Sequence, residues 1–416
     1  MFGRVVVLLA LGSAAPSSKF VTTNGTRFSV DGRTFRFAGT NNYYLSTQSD
    51  ENMALDVFET AARSNFSVIR TWAFHDRGFI NGTASTGHVD DFWYRALDPS
   101  SNQVIVNETG LRKLDVTLVT AATFGIRLII TMSNNWDDYG GIDQSLKWES
   151  LINASYSDPL HDDFFDRPWQ MQTHVAWMST LVNRRNSVTG VIYKDDPTIF
   201  AWELMNEPRC EGSGYYKSSN KCALVGAKPA SLKILPWVAT MSAALKALDS
   251  NHLIAVGDEG FLCEPYDESR SFYTDCGAGT DFSAFTALPD IDFASMHVYP
   301  DNYHFSYEWA VEWVQNHTQL ARAAGKPNVV GEFNVRSTNQ SAVLRDWTSS
   351  FLGGDLAGDL SWMLCGRDSK SPNGWYPFNS DGFCVFCPNA SEPVPPSRDP
   401  LTCGVLVDHA NSMARA

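Results

Sequence analysis

The most constraining feature of this sequence is a regular alternation of short apolar runs and longer amphipathic segments. Strand-favouring apolar runs occur eight times, at residues 35–39, 67–70, 126–131, 199–204, 253–257, 291–295, 328–331 and 358–361. Helical spacing of apolar residues predicts helices at residues 51–64, 111–123, 169–185, 235–248, 308–323, 343–352 and 401–413. Residues 138–168, which are rich in aromatic residues and aspartates, are interpreted as a loop.

This alternation contains no linker, repeat or low-complexity tract within its 416 residues. The number of strand–helix units and the length of the chain are those of a single (β/α)8 TIM barrel, an α/β fold. A short hairpin with an Asp31-Gly32 turn is predicted at residues 18–34, and long rim loops are predicted at 75–107 and 365–403. We therefore expect one barrel domain over residues 18–416.

The first 17 residues have the pattern of a secretory signal peptide. Arg4 precedes an apolar run at residues 5–11, and small residues follow at 13–15. Asn-x-Ser/Thr sequons begin at Asn24, Asn65, Asn81, Asn107, Asn153, Asn316, Asn339 and Asn389. These features predict a secreted glycoprotein with a signal peptide over residues 1–17.

The cysteines also indicate a secreted protein that folds in an oxidising compartment. Eight cysteines, an even number, all fall in the C-terminal half of the chain. Disulfides are favoured, and sequential pairing of Cys210 with Cys222 and of Cys263 with Cys276 is plausible. The Cys384-x-x-Cys387 pair leaves a zinc site as the competing interpretation.

Charge limits the partners that the protein can have. The net charge of -14 argues against nucleic acid and against an anionic membrane surface. Beyond the N-terminus, no segment approaches the ~20 apolar residues of a membrane span.

Polar and aromatic residues follow the predicted strands, where barrel enzymes place their active sites. The residues at these strand ends are Arg70, Trp72, Asn135, Trp136, Asn206, Glu207, His297, Tyr299, Glu332 and Trp362. Glu207 and Glu332 follow the fourth and seventh strands, which can face each other across the barrel mouth. Two carboxyl groups ~5–5.5 Å apart are what retaining glycoside hydrolysis requires.

Other barrel chemistries remain open at this point. An enolase-type site would need carboxylates set for Mg²⁺, and an aldolase-type site would need a strand-end lysine, which the predicted strands lack. Aromatic residues near the rim favour a sugar ligand, because apolar sugar faces stack on aromatic rings. Asp258 and Glu259 form a second acidic pair, which we interpret as loop hydrogen bonding.

Several stretches of the chain resemble glycoside hydrolase family 5, and within it the endo-β-1,4-mannanases. They are FAGTNNYYL, VIRTWAF, NNWDDYGG, DPTIFAWELMNEPRC, DEGF, MHVYP and GEFNV, which occur in the family's order along nearly the whole chain. RTWAF and NEPRC are the most specific to the mannanase branch.

The resemblance implies a role for each catalytic residue. Glu207 would be the acid/base and Glu332 the nucleophile, kept ionised by Arg70 beneath it. Tyr299 would donate a hydrogen bond to Glu332, and His297 would contact the sugar or the acid/base.

The resemblance also implies sugar contacts. Asn206 would bind the 2-hydroxyl at the cleavage subsite, and Trp362 would be the platform under that sugar, where relatives often have a non-proline cis peptide. Asn135 and Trp136 would contact minus-side sugars, and Arg209 a plus-side sugar. Trp72 would support the cleft. Met363 departs from the glutamine that is common after this tryptophan in plant-like relatives.

The implied activity is endo-hydrolysis of β-1,4-mannosidic bonds in mannan, glucomannan or galactomannan, without metal or organic cofactor. Mannan polysaccharide and manno-oligosaccharides would be the partners of a secreted monomer. A β-glucanase, a transglycosylase and a non-catalytic carbohydrate-binding barrel remain as alternatives.

Overall fold

The computed structural model describes most of the chain outside its N-terminus and parts of several rim loops. The described residues are 19–46, 51–77, 93–98, 100–212, 215–219, 222, 233–263, 274, 276–368, 374–375, 382–388 and 399–416. The predicted signal peptide, the Asn81 and Asn389 sequons and much of the insertion at 75–107 lie outside these residues.

Strands recur from one end of the described chain to the other. In order they are β1 (Thr22–Asn24), β2 (Arg27–Val30), β3 (Arg33–Phe35), β4 (Phe37–Asn41), β5 (Val68–Trp72), β6 (Asp76–Arg77), β7 (Arg95–Asp98), β8 (Gln103–Val106), β9 (Arg127–Thr131), β10 (Ile199–Glu203), β11 (Leu253–Ala255), β12 (Ala294–Val298), β13 (Asn328–Phe333) and β14 (Gly358–Ser361).

Helices separate most of the long strands. They are α1 (Glu51–Arg63), α2 (Glu108–Thr123), α3 (Gly141–Ile152), α4 (Pro168–Val182), α5 (Ile234–Leu248), α6 (Phe282–Ala287), α7 (Pro300–Tyr303), α8 (Tyr307–Ala323), α9 (Gln340–Gly353) and α10 (Thr402–Met413), with 3-10 turns at His161–Phe165 and Tyr193–Asp195.

The prediction of a (β/α)8 barrel is confirmed. Eight parallel strands are hydrogen-bonded in the order β11-β10-β9-β5-β4-β14-β13-β12. The two ends of this sheet meet where the backbone N–H of Asp292 donates to the carbonyl of Ile254 at 2.8 Å. The Asp292 carboxylate accepts the N–H of Ile254 at 2.7 Å in return. The carboxyl ends of all eight strands therefore surround one mouth.

The N-terminal hairpin closes the opposite end of the barrel. It is confirmed as a three-stranded antiparallel sheet, β1-β2-β3, whose Asp31-Gly32 turn has φ of 55° and 75°. Phe28 is fully buried, and its ring lies 5.0 Å from that of Phe200 and 5.4 Å from that of Phe293. Aromatic packing therefore fills this end of the barrel, whereas the carboxyl ends of the strands form the mouth at the other end.

The interpretation of residues 138–168 as a loop is wrong. This segment contains α3 and the 3-10 turn at His161–Phe165. The face that α3 buries includes Asp143, Gln144, Ser145 and Glu149, so apolar periodicity could not reveal the helix. The short helices α6 and α7 were also missed.

All eight cysteines form disulfides. The pairs Cys210–Cys222 and Cys263–Cys276 confirm the sequential pairing, and Cys365–Cys384 and Cys387–Cys403 complete the set. The zinc interpretation is therefore wrong, because no free thiol remains. Four disulfides indicate folding in an oxidising compartment. Among the helices of the described residues, none has the length and apolar character to cross a membrane.

Candidate active site

The mouth of the barrel is organised around the buried guanidinium of Arg70, which lies on β5 and is 1% exposed. Its Nε donates to Glu203 Oε2 at 2.6 Å, and its Nη1 donates to Glu332 Oε1 at 2.6 Å. The side-chain oxygens of Asn41 and Asn206 accept from Nη1 and Nη2 at 3.2 and 2.8 Å. One cation thus joins the ends of four barrel strands.

Glu332 lies on β13 and is 3% exposed. Besides the contact with Arg70, its Oε2 accepts a hydrogen bond from the Tyr299 hydroxyl at 2.7 Å. His297 Nδ1 lies 3.6 Å from the same oxygen. A guanidinium and a hydroxyl on opposite oxygens fix the orientation of this carboxyl group.

Glu207 follows β10 and is held by a backbone turn. Its φ of +51° lies in the left-handed region, which costs a non-glycine residue roughly 1–2 kcal/mol. The turn is secured on both sides, because Glu207 N–H donates to the Gly257 carbonyl at 2.8 Å and Asn206 N–H donates to the Ser133 carbonyl at 2.9 Å. This conformation directs the carboxyl group across the mouth.

The carboxyl group of Glu207 has two partners of its own. Its Oε2 accepts from the indole Nε1 of Trp136 at 2.6 Å, and its Oε1 contacts His297 Nδ1 at 2.6 Å. One carboxylate oxygen each of Glu207 and Glu332 and one ring nitrogen of His297 all lie within 4.8 Å of one another. This separation fits retaining glycosidases, whereas inverting enzymes hold the two carboxyl groups ~6.5–9.5 Å apart.

The two carboxyl groups differ in their electrostatic surroundings. Burial raises the pKa of Glu207, but the hydrogen bond and charge of His297 outweigh burial and lower that pKa to about 2. Burial raises the pKa of Glu332, against the opposing charges of His297 and Arg70. Burial lowers the pKa of His297, but the charges of the two carboxylates prevail and raise it. The free site therefore favours an imidazolium paired with a Glu207 carboxylate.

Aromatic rings form one wall beside this pair. Tyr43, Trp72 and Trp362 contact one another, with ring centroids 4.9 Å apart for Tyr43 and Trp72, 5.9 Å for Tyr43 and Trp362, and 6.0 Å for Trp72 and Trp362. Tyr139 lies 5.7 Å from Trp72. The peptide bond between Trp362 and Met363 is cis, as expected from the resemblance.

The side chains of Asn206 and Asn135 both form hydrogen bonds within the protein. Asn206 accepts from Arg70, and its Nδ2 donates to Asn134 Oδ1 at 3.0 Å. Asn135 is fully buried, and its Nδ2 donates to the Glu211 carbonyl at 2.9 Å. A sugar contact by Asn135 stays a prediction, and the structure gives this side chain a position under the loop that carries Glu207.

Arg209 lies at the other side of the mouth. It forms a two-pronged ion pair with Glu259, and its guanidinium lies 5.2 Å from the Trp136 ring and 4.8 Å from the Phe261 ring. Tyr303 donates to the same Glu259 carboxylate at 3.2 Å. The interpretation of Glu259 as a residue of loop hydrogen bonding is thus confirmed.

Sequence reasoning missed Glu203, the second carboxylate on Arg70. It is 1% exposed and also accepts from the Thr131 hydroxyl at 2.7 Å. The signal was available, because an acidic residue within an otherwise apolar strand requires a buried partner. His161, which contacts Asn135, and Asp143, which contacts His161, were also missed.

Asp258 provides a prediction on pH and stability. Burial raises its pKa to about 7, and the N–H of Gly260 at 3.2 Å opposes this only in part. The native state then binds more protons than the unfolded state between about pH 4 and 7, so stability falls as pH rises through this window. Asp258→Asn is expected to add about 2–4 kcal/mol of stability at pH 8 and little at pH 4.

Urea unfolding of both proteins at the two pH values checks this expectation. Asp408→Asn, at an exposed position of α10, is the matched control and should change stability little at either pH. An equal gain for Asp258→Asn at pH 4 and pH 8 would contradict the assignment.

Fold and site together define a barrel enzyme with two glutamates across its mouth, of which Glu332 is buried and Glu207 is partly exposed. Comparison with known proteins identifies the family. Residues 18–350 match the model of the GH family 5 beta-mannosidase-like group. The chain therefore belongs to glycoside hydrolase family 5, in its beta-mannosidase-like group.

Individual relatives agree with this assignment. A probable mannan endo-1,4-beta-mannosidase A of Aspergillus flavus is 32% identical over 376 residues, which cover 89% of this chain and 87% of that protein. The mannan endo-1,4-beta-mannosidase 1 of Solanum lycopersicum is 31% identical over 430 residues, covering 99% and 96% of the two chains. The crystal structure of an endo-1,4-beta-mannanase from Rhizomucor miehei has a TM-score of 0.79 and 33% identity, covering 96% of this chain and 100% of that one.

Proposed function

We propose that this protein hydrolyses internal β-1,4-mannosidic bonds of mannan, glucomannan or galactomannan with retention of configuration. The observation that carries the proposal is the approach of the Glu207 and Glu332 carboxylate oxygens to within 4.8 Å. The names of the relatives support the choice of mannan as the polysaccharide.

In this mechanism Glu332 is the nucleophile. Arg70 and Tyr299 each donate a hydrogen bond to it, and these contacts favour the carboxylate form and oppose burial, which raises the pKa of Glu332. The carboxylate attacks the anomeric carbon and forms a covalent glycosyl ester as the glycosidic C–O bond breaks. Water then cleaves the ester in the second step.

Glu207 is the acid/base, and His297 supports its protonation. In the free site the shared proton is held on His297 Nδ1, 2.6 Å from Glu207 Oε1. A sugar that displaces water from the cleft disfavours this ion pair relative to its neutral form, so the proton moves to Glu207. Glu207 then protonates the departing oxygen and, in the second step, deprotonates the attacking water.

The remaining mouth residues bind the polysaccharide. Trp362, beside Tyr43 and Trp72, provides an aromatic wall for a sugar face. Arg209 and Trp136 lie near Glu207 and would contact sugars on either side of the scissile bond. Asn206, fixed by Arg70 and Asn134, would meet the 2-hydroxyl. The four disulfides support a secreted enzyme, with residues 1–17 as its signal peptide.

Release of reducing sugars from β-mannan, carboxymethylcellulose and laminarin tests the substrate assignment. We expect mannan to be the preferred substrate, with viscosity falling early because internal bonds are cut. Product anomers observed by NMR should be β at first, as retention requires. A clear preference for either glucan would overturn the assignment, and binding to mannan without product release would indicate a non-catalytic barrel.

A further inference from the structure

A buried aspartate–histidine pair lies beneath the loop that carries Glu207. Asp143 on α3 and His161 in the following 3-10 turn are both fully buried, and Asp143 Oδ1 lies 2.8 Å from His161 Nδ1. The other ring nitrogen, Nε2, lies 3.1 Å from Asn135 Oδ1. The three side chains therefore form a continuous chain of hydrogen bonds.

The direction of this chain follows from the partners of Asn135. Its Oδ1 accepts the backbone N–H of Arg209 at 3.0 Å, and its Nδ2 donates to the carbonyl of Glu211 at 2.9 Å. The amide oxygen must therefore face His161, so His161 Nε2 carries a hydrogen. The contact between His161 Nδ1 and Asp143 Oδ1 then needs one proton, which either the imidazole or the carboxyl group can hold. In either form His161 donates to Asn135.

Asn135 in turn holds the segment that contains the acid/base. Its side chain binds the backbone of Arg209 and Glu211, and its own N–H donates to the Asn206 carbonyl at 3.0 Å. Glu207 lies between these anchors. The next residue along the chain, Trp136, donates directly to the Glu207 carboxylate.

The pair also contacts the far end of the same loop. Asp143 Oδ2 accepts the N–H of Tyr216 at 3.3 Å, and the N–H of His161 donates to the Lys217 carbonyl at 2.9 Å. The loop lies directly on the imidazole, because a Cβ added to Gly212 would come within 2.2 Å of the ring. The described parts of this loop, residues 206–212 and 215–217, therefore share this buried support.

We propose that Asp143 and His161 are positioning residues, which act through Asn135 to hold the general-acid carboxylate of Glu207 against the leaving oxygen. This inference rests on the proposed glycosidase function. It concerns the geometry of one proton transfer and not the binding of sugar, since neither buried side chain can reach a ligand.

The test compares two substitutions at one position. In Asp143→Asn the amide nitrogen can donate to His161 Nδ1 while the amide oxygen still accepts from Tyr216, so the donor to Asn135 is kept. Asp143→Ala removes both contacts. His409→Gln is the matched control, because His409 on α10 forms a buried pair with Asp359 at 2.8 Å outside this loop.

Leaving-group dependence is the decisive readout. A dinitrophenolate leaves without protonation, whereas a sugar alkoxide needs the general acid, whose help is typically worth ~10²–10⁴-fold. Asp143→Ala should lower kcat on mannopentaose by ~10–100-fold, as misplaced catalytic groups do. The burst of dinitrophenolate from 2,4-dinitrophenyl β-mannobioside should slow by less than about threefold. Asp143→Asn and His409→Gln should retain the wild-type ratio of the two rates.

Amide hydrogen exchange gives a readout that does not depend on activity. In Asp143→Ala, peptides covering residues 206–217 should exchange faster, because the amides of Arg209 and Tyr216 lose support, while other barrel peptides stay unchanged. If Asp143→Ala does not fold, Asn135→Ser interrupts the same series of hydrogen bonds at its other end. This variant must then show the same selective loss of kcat on mannopentaose and the same faster amide exchange of the loop.

Equal loss on both substrates, or faster exchange across the whole barrel, would overturn the proposal. So would wild-type behaviour of the disrupting variant. Failure of the proposed function is distinguished from these outcomes, because wild-type protein would then release neither mannose oligosaccharides nor dinitrophenolate.

Discussion

Replacing Glu332 with alanine is expected to lower kcat on mannan by ~10⁴-fold or more, since no other group can form the covalent intermediate. The side chain contacts Arg70 at 2.6 Å and the Tyr299 hydroxyl at 2.7 Å, and neither neighbour is a nucleophile at neutral pH. Azide added to this variant should occupy the vacated position and give an α-mannosyl azide by direct displacement. Steady-state kinetics measure kcat, and NMR of the azide product gives its anomeric configuration.

Glu149→Gln is the matched control for this result. Glu149 is also a buried carboxylate bound to an arginine, with Arg167 Nε donating to it at 2.9 Å. It lies on α3 and has no part in the proposed chemistry, so any loss of stability should come without a comparable loss of kcat. A Glu332→Ala protein that retains a tenth of the wild-type kcat would contradict the assignment of the nucleophile.

Replacing Glu207 with alanine is expected to produce a loss that depends on the leaving group. On mannan kcat should fall by ~10²–10⁴-fold, because both protonation of the leaving oxygen and activation of water are lost. On 2,4-dinitrophenyl β-mannobioside the first step needs no acid, so a burst should precede slow turnover.

Azide should accelerate turnover of the Glu207→Ala protein by attacking the covalent intermediate. The product is then a β-mannosyl azide, opposite to that of Glu332→Ala. NMR of the anomeric proton separates the two configurations. An α-configured azide from Glu207→Ala would refute a double displacement through Glu332.

Much of the fold could be predicted because its signals are local. Each barrel strand is a short apolar run followed by polar residues, and this pattern can be recognised without knowing which strands pair with each other. The strand at Gly358–Ser361 has the predicted bounds, and most other elements differ from prediction by a few residues at their ends. The sequential pairing of Cys210 with Cys222, 12 residues apart, was plausible from the sequence, but eight cysteines allow many other connectivities, so the sequence could not establish it.

Elements stabilised by buried polar groups could not be predicted in this way. Helix α3 packs with Asp143, Gln144 and Glu149 inward, so its pattern is that of an exposed loop. The partners that make this burial acceptable, such as His161, come from another segment and only meet these residues in three dimensions. The family resemblance gave contact with the acid/base as one of two roles for His297, whereas the residues alone carry no signal for its interaction with Glu207 beyond the position of each at a strand end.

Arg70 ties the assembly of the catalytic centre to the closure of the barrel itself. Its guanidinium reaches the ends of β4, β10 and β13 from β5, so no subset of these strands can present the Glu332 carboxylate correctly. Loss of any one of these strands would leave a buried charge or amide of this cluster without its partner, which is costly in free energy.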